Sequence, residues 1–175
     1  EAGINFFNKF SSKIITLENL ESAEIAKLID NSYRDTIFAF SNQISMICDE
    51  FKLDTIDILK KCNSDYSRNN IPLPSPGVGG ACLTKDPYIL VSSSKLRKTN
   101  TDLLLQSRKT NEITLINLVN KILFKLKNVK NPDILICGIA FKGVPENSDI
   151  RFSTSIDMIK KLSKRNKINI HLYDP

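Results

Sequence analysis

Of the four cysteines in this 175-residue sequence, Cys82 stands among neighbours that suit a reactive thiol. Gly79 and Gly80 lie just ahead of it, and a helix start expected at Thr84, with Lys85 beside it, follows shortly. The thiolate is the nucleophilic form of cysteine, and both the positive end of a helix and a nearby ammonium favour it. These residue types therefore point to covalent chemistry on an electrophilic carbon, although a structural cysteine at a helix start accounts for them equally well. Gly77, Gly79 and Gly80 allow close backbone approach to a ligand, and consecutive free N–H groups there would suit a phosphate. A tight turn alone would explain the same glycines. Neither G-x-x-x-x-G-K-[ST] nor G-x-G-x-x-G occurs in the chain.

The other thiols invite a plainer reading. Cys48 falls on or near the apolar face of a long helix, Cys62 closes a short helix and Cys137 lies in an apparent core strand, so each is expected to be a small buried hydrophobe. No C-x-x-C pair occurs and the spacings are wide, so neither a metal site nor a disulfide framework is indicated, and free thiols are expected. His171, the single histidine, sits among apolar neighbours and reads as structural, which disfavours a cysteine–histidine hydrolase. Lys27, Asn31 and Arg34 share one helix face, offset from the apolar stripe, and on position alone that face is a solvated one.

The elements that must hold these residues follow from periodicity and punctuation. From Ser22 to about Phe51, the positions Leu28, Ile29, Tyr33, Ile37, Phe40, Ile44, Ile47 and Phe51 recur at helical spacing without Gly or Pro. Asp54 is an N-cap for a short helix ending near Asn63. Residues 64–82 hold three of the seven prolines and three of the six glycines, which predicts an ordered loop long enough to be functional. Thr84 is expected to cap a helix running to about Leu96 with Pro87 in its first turn. Asn100 or Thr101 caps the next helix, which continues to about Lys127 with apolar Leu104, Ile113, Leu115, Leu118, Ile122 and Leu126. The period then changes. Asp133 to Gly138 reads as a buried strand, residues 154–163 as a helix and 168–173 as a second strand, the order of a parallel unit. Two strands cannot bury both their faces, so residues 131–175 are expected to open a larger α/β domain, and Ile4 to Ile15 to be the tail of a preceding one.

Composition agrees with a folded chain. It is 41% hydrophobic and 25% charged with a net charge of +6, and the Lys and Arg are scattered except for a cluster at Lys160 to Lys167. That cluster reads as a solvated helix face, so no nucleic-acid partner is expected, while an anionic small molecule stays open. No apolar run is long enough to span a bilayer and no signal pattern opens the chain, so a cytoplasmic protein without a membrane partner is expected.

Three stretches in register resemble the UDP-glucose/GDP-mannose dehydrogenase family. They are Ala23-Glu-Ile-Ala-Lys-Leu-Ile-Asp-Asn-Ser-Tyr-Arg34, Pro76-Gly-Val-Gly-Gly-Ala-Cys-Leu-Thr-Lys-Asp-Pro-Tyr88, and Gly138-Ile-Ala-Phe-Lys-Gly143 with Asp149-Ile-Arg151. The resemblance implies a mainly α central domain of dimerisation type at residues 21–130, followed by a partial, Rossmann-like α/β domain at 131–175 that opens the sugar-nucleotide-binding region. Residues 1–20 would be a linker or the tail of an N-terminal dinucleotide-binding domain. It further implies NAD as cofactor, bound mainly by that absent domain, where the missing fingerprint would lie. A UDP-sugar substrate and a homodimer formed through the central helices are implied with it.

The same resemblance implies oxidation of a C6 hydroxymethyl to a carboxylate by two successive hydride transfers through a cysteine thioester. Cys82 would be the nucleophile, Lys27 and Asn31 would hold the reacting oxygen, and Asp86 would orient or deprotonate water. Gly77, Val78, Gly79, Gly80, Phe141 and Lys142 would contact the substrate, Lys85 and Arg151 the cofactor, and Arg68 a neighbouring subunit's site. The Pro-Gly-Val-Gly-Gly and Asp-Pro-Tyr elements resemble the branch acting on UDP-N-acetylglucosamine or UDP-N-acetylmannosamine, with UDP-glucose second and even a guanine base open. Ala81 stands where that branch usually has histidine, Lys85 where it has a non-basic residue, and Ser75 where glycine is common. Two other expectations are a non-catalytic helical dimerisation module and a relative of β-hydroxyacid dehydrogenases, which share the lysine and asparagine but have no use for the thiol.

Overall fold

A computed structural model describes residues 2–95, 98–143, 145–164 and 168–174. The expected helix end at Leu96, the Arg165 to Lys167 part of the basic cluster and the terminal Pro175 lie outside the described residues. After the short helix α1 (Ala2–Phe7), the chain forms α2 (Leu20–Glu50), α3 (Thr55–Asn63), α4 (Asp86–Lys95) and α5 (Asp102–Leu126). Strand β1 (Asp133–Cys137), helix α6 (Thr154–Leu162) and strand β2 (Asn169–Tyr173) complete it. This is the expected mainly α body followed by a small α/β unit.

The caps explain the boundaries. α2 opens at Asn19, whose side chain accepts the Ser22 N–H at 2.8 Å, and Asp54 accepts the N–H groups of Ile56 and Asp57 to open α3. At α5 the Asn100 carboxamide accepts the Asp102 N–H at 2.8 Å, while Thr101 occupies the N-cap position without using its side chain. Thr84 does not cap α4. Its hydroxyl donates back to the Gly80 carbonyl at 2.9 Å, closing the turn that carries Cys82, and the helix opens at Asp86 with Pro87 in its first turn.

The inward face of α2 is more polar than expected, and of its apolar stripe only Leu28, Ile37 and Ile44 are half-buried. Asn31, Ser32, Asp35, Ala39, Ser41, Asn42 and Cys48 are buried, whereas Ile29, Tyr33, Phe40, Ile47 and Phe51 are exposed, Tyr33 at 62% and Phe51 at 70%. Hydrophobicity predicts the core side only where burial is apolar; here α2 packs on α4 and α5 through hydrogen-bonded polar groups. α5 repeats the pattern, burying Ser107, Arg108 and Asn111 in its first half and Leu115 and Val119 further on, while Ile113 is exposed.

The apolar core joins α5 to the α/β unit. Leu115 and Val119 pack with Ile136 of β1 and with Met158 and Leu162 of α6. The strands are parallel, pairing Ile134 with Ile170 and Ile136 with Leu172. Ile134, Ile136 and Ile170 lie on the covered sheet face and the other face is not covered, so Leu135 is exposed and β1 is not the fully buried strand its composition suggests. Cys137 is consequently exposed. Cys62 is exposed as well, and of the three cysteines expected in the interior only Cys48 is buried. His171 is exposed too, its Nε2 lying 2.9 Å from Asp133 Oδ1.

Candidate active site

The proline- and glycine-rich loop is suspended from the helices by side chains. Asn63 at the end of α3 brackets Ile71, donating to its carbonyl and accepting its N–H. Ser41 on α2 donates to the Pro72 carbonyl and Asn42 accepts the Ser75 N–H at 2.8 Å. Gly77 then turns with φ +86°, against α5: a Cβ there would lie 2.8 Å from the Asn111 carbonyl oxygen, so only glycine fits. Gly79 is as tight, since its Cβ would lie 2.3 Å from the Phe152 carbonyl oxygen. That same carbonyl accepts the Gly80 N–H at 2.9 Å, tying the loop to the corner that precedes α6.

Beneath the loop lies a polar network. Arg108 is almost fully buried and donates from Nη1 to Asp35 Oδ1 at 2.8 Å and to the Leu83 carbonyl at 3.0 Å, and from Nη2 to the Val78 carbonyl at 3.1 Å. Asn111 donates to both the backbone and the side chain of Asp35, and accepts from Asn42 at 2.9 Å. Burial pushes the Asp35 carboxyl above its usual range; the Arg108 charge and the Asn111 hydrogen bond oppose this without cancelling it.

The loop, α2 and the segment after β1 enclose a cleft of about 510 Å³. Lys27, Asn31 and Arg34 line it from α2, Ser75 to Leu83 from the loop, and Phe141 and Lys142 from the opposite side. The face expected to be solvated is thus one wall of a cavity. Cys82 is exposed into this space. Asp86 is buried next to it, accepting from Asn31 Nδ2 at 2.5 Å on one carboxylate oxygen and from Lys85 Nζ at 2.5 Å on the other. Burial by itself would raise its pKa, but these two hydrogen bonds and the Lys85 and Lys27 charges hold it below the usual carboxylate range. Lys85 is raised, chiefly by its hydrogen bond to Asp86, with a smaller contribution from the charge of Cys82.

The fold therefore gathers Lys27, Asn31, Gly77, Val78, Gly79, Gly80, Cys82, Phe141 and Lys142 around one cavity, with Lys85 and Asp86 bonded at its edge. Arg151 is exposed and forked onto Asp149, which does line the cleft and whose carboxyl is lowered to about 2 by that guanidinium. Arg68 is exposed on the loop and does not line the cleft. The periodicity argument missed Arg34 as a lining residue, and it missed the Asp35–Arg108–Asn111–Asn42 network. A signal existed: Ser107, Arg108, Asn111, Leu115 and Val119 fall at helical spacing, a polar stripe continued by an apolar one. Among the described residues, no group of His, Cys, Asp and Glu is arranged to hold a metal ion, and no helix is long and apolar enough to cross a membrane.

A profile of the UDP-glucose/GDP-mannose dehydrogenase family, central domain, matches residues 21–113. A UDP-N-acetyl-D-mannosamine dehydrogenase from Campylobacter jejuni is 32% identical over the whole of this chain and 42% of its own length. An NDP-N-acetyl-D-galactosaminuronic acid dehydrogenase from Ralstonia nicotianae is 27% identical over the whole chain and 40% of its own. Among solved structures, the UDP-N-acetyl-mannosamine dehydrogenase Cap5O from S. aureus superposes with a TM-score of 0.81 at 28% identity, covering 99% of this chain and 40% of that one. The chain thus spans about 40% of the length of the relatives it matches.

Proposed function

Because this chain belongs to the UDP-glucose/GDP-mannose dehydrogenase family, we propose that it is part of an NAD-dependent nucleotide-sugar 6-dehydrogenase and carries that enzyme's covalent catalyst, Cys82. The observation that carries this reading is an exposed thiol in a cleft whose facing wall is Lys27 and Asn31, with Asp86 hydrogen-bonded behind them. The substrate we infer is UDP-N-acetylmannosamine, after the names of the relatives, with UDP-N-acetylglucosamine next. Residues 21–130 would be the central dimerisation domain and 131–175 the start of the sugar-nucleotide domain. The free thiols suit a reducing cytoplasm.

The loop backbone from Gly77 to Gly80 would border the substrate, and its diphosphate would be met by the N–H groups of Val78 and Gly79 and by the Lys142 cation, since Gly77 and Gly80 donate to the Ser75 and Phe152 carbonyls; Phe141 would flank the sugar nucleotide. Once C6 has been oxidised to the aldehyde, the Cys82 thiolate adds to the carbonyl carbon, and the electron pair moves to the oxygen. Lys27 and Asn31 stabilise the oxyanion that results, an effect that typically contributes on the order of 10²–10³ in rate. Loss of the second hydride converts this adduct to a thioester. Water then attacks it, the C–S bond breaks, the thiolate returns and the uronate leaves. Asp86 holds Asn31 by a hydrogen bond, and its carboxylate, kept below the usual range by Lys85, Asn31 and Lys27, would orient or deprotonate the water.

NAD supplies hydride acceptance when bound. Lys85 and Arg151 present solvent-exposed cations at and near the cleft edge, which fits contact with an anionic dinucleotide, while the absence of a G-x-G-x-x-G leaves the principal binding site outside these residues. The exposed stripe of Ile29, Tyr33, Phe40, Ile47 and Phe51 on α2 fits a homodimer contact, and Arg68 would then reach the second subunit's site. In the full-length protein, Cys82→Ala should abolish uronate formation while leaving the melting temperature close to that of the unaltered protein. Turnover at the unaltered rate would refute the assignment.

A further inference from the structure

Arg108 holds the cysteine turn on both sides. Its acceptors, the carbonyls of Val78 and Leu83, bracket the segment Gly79 to Cys82, and its third partner, Asp35, lies on α2. Asp35 is one helical turn after Asn31, so the guanidinium joins the nucleophile's turn to the helix face that bears Lys27 and Asn31. A guanidinium is planar and its N–H groups diverge at fixed angles, so three acceptors at 2.8, 3.0 and 3.1 Å fix the relative placement of two backbone points and one side chain. Asn111 secures Asp35 from a second direction.

A buried ion pair is a poor device for stability, because removing two charges from water offsets most of what their attraction returns, and apolar replacements often stabilise as well or better. The arrangement gains its meaning from geometry. We infer that Arg108, anchored by Asp35, is a positioning residue that sets the reach of the Cys82 thiol relative to Lys27 and Asn31. It touches neither substrate nor reacting atoms in this scheme; it acts through the two carbonyls it holds. The inference rests on the proposed role of Cys82.

The test compares the full-length protein with Arg108→Lys and with the double variant Arg108→Met/Asp35→Asn. In the double variant no buried charge is left unpaired, and the carboxamide introduced on α2 still accepts from Asn111, so the fold should melt near the temperature of the unaltered protein. With the two carbonyls released, kcat should fall by about 100-fold and KM should change by less than about 3-fold, as expected from a small misplacement of reacting groups. Arg108→Lys keeps the charge but cannot span three acceptors, so it should recover only part of kcat. A second readout is the rate at which iodoacetamide alkylates Cys82, which should shift at least several-fold in both variants. A stable double variant with unaltered kcat and alkylation rate would overturn the inference, and so would full rescue by Arg108→Lys. If the double variant does not fold, Arg108→Lys decides alone by the same two readouts. If the unaltered protein forms no uronate, the proposed function is at fault, and alkylation then judges the positioning role by itself.

Discussion

Asp86 has both carboxylate oxygens engaged, one by an asparagine that faces the cleft and one by a lysine beside the thiol. Folding lowers its pKa, so its contribution to stability is fully present above the unfolded value of about 3.9 and is lost as pH falls through the folded value. Asp86→Asn should therefore lower the melting temperature at neutral pH and change it little near about pH 2, which thermal melts at the two pH values would check. In the proposed reaction the same variant should slow uronate release, because a carboxamide removes the negative charge and leaves one accepting oxygen where the carboxylate has two. At this scale Cys82 was legible because thiol, glycines and helix start adjoin in sequence, and Lys27, Asn31 and Asp86 because the family pattern marks them. Arg108 was not, since its acceptors come from other elements and a lone arginine in an amphipathic helix looks like any solvated one.

The helices and strands themselves were readable from caps, prolines and periodicity, and the observed ends agree with the expected ones to within two residues where both are described. What periodicity could not give was the direction in which α2 faces. Its apolar stripe has the helical spacing of a core face, yet the chain buries the polar side, because Asn31, Asp35, Ser41 and Asn42 find hydrogen-bond or ion-pair partners on α4, α5 or the loop. If the stripe is a dimer contact, Tyr33→Glu/Phe40→Glu should shift sedimentation toward the monomer without unfolding the chain, since both positions are exposed here. The glycine loop gives a sharper prediction. Gly79→Ala would force a methyl group against the Phe152 carbonyl, so the loop must lift from the α6 corner; melting temperature and Cys82-dependent turnover should both fall.

The molecule as a whole is a helical body whose apolar core is shared with a two-stranded sheet, and that sheet has one face bare, with Leu135 exposed on it. Sequence reasoning anticipated this shape from the strand count, and overstated the burial of β1 because an apolar strand cannot reveal whether a second layer is present to cover it. Amide hydrogen exchange should accordingly be slowest in α2 and α5 and faster in β1 and β2, where fewer layers protect the backbone.

The contacts that seat the cysteine turn come from far along the chain. Arg108 meets its carboxylate partner across 73 residues, Asn111 across 76, and the Gly80 N–H is received by a carbonyl that follows β1. During synthesis the turn bearing Cys82 leaves the ribosome well before α5 or the Phe152 corner exists to hold it. The nascent chain thus carries an unanchored thiol until the Phe152 corner has emerged, so the turn bearing Cys82 is fully set only after the cleft wall of Phe141 and Lys142 has been made.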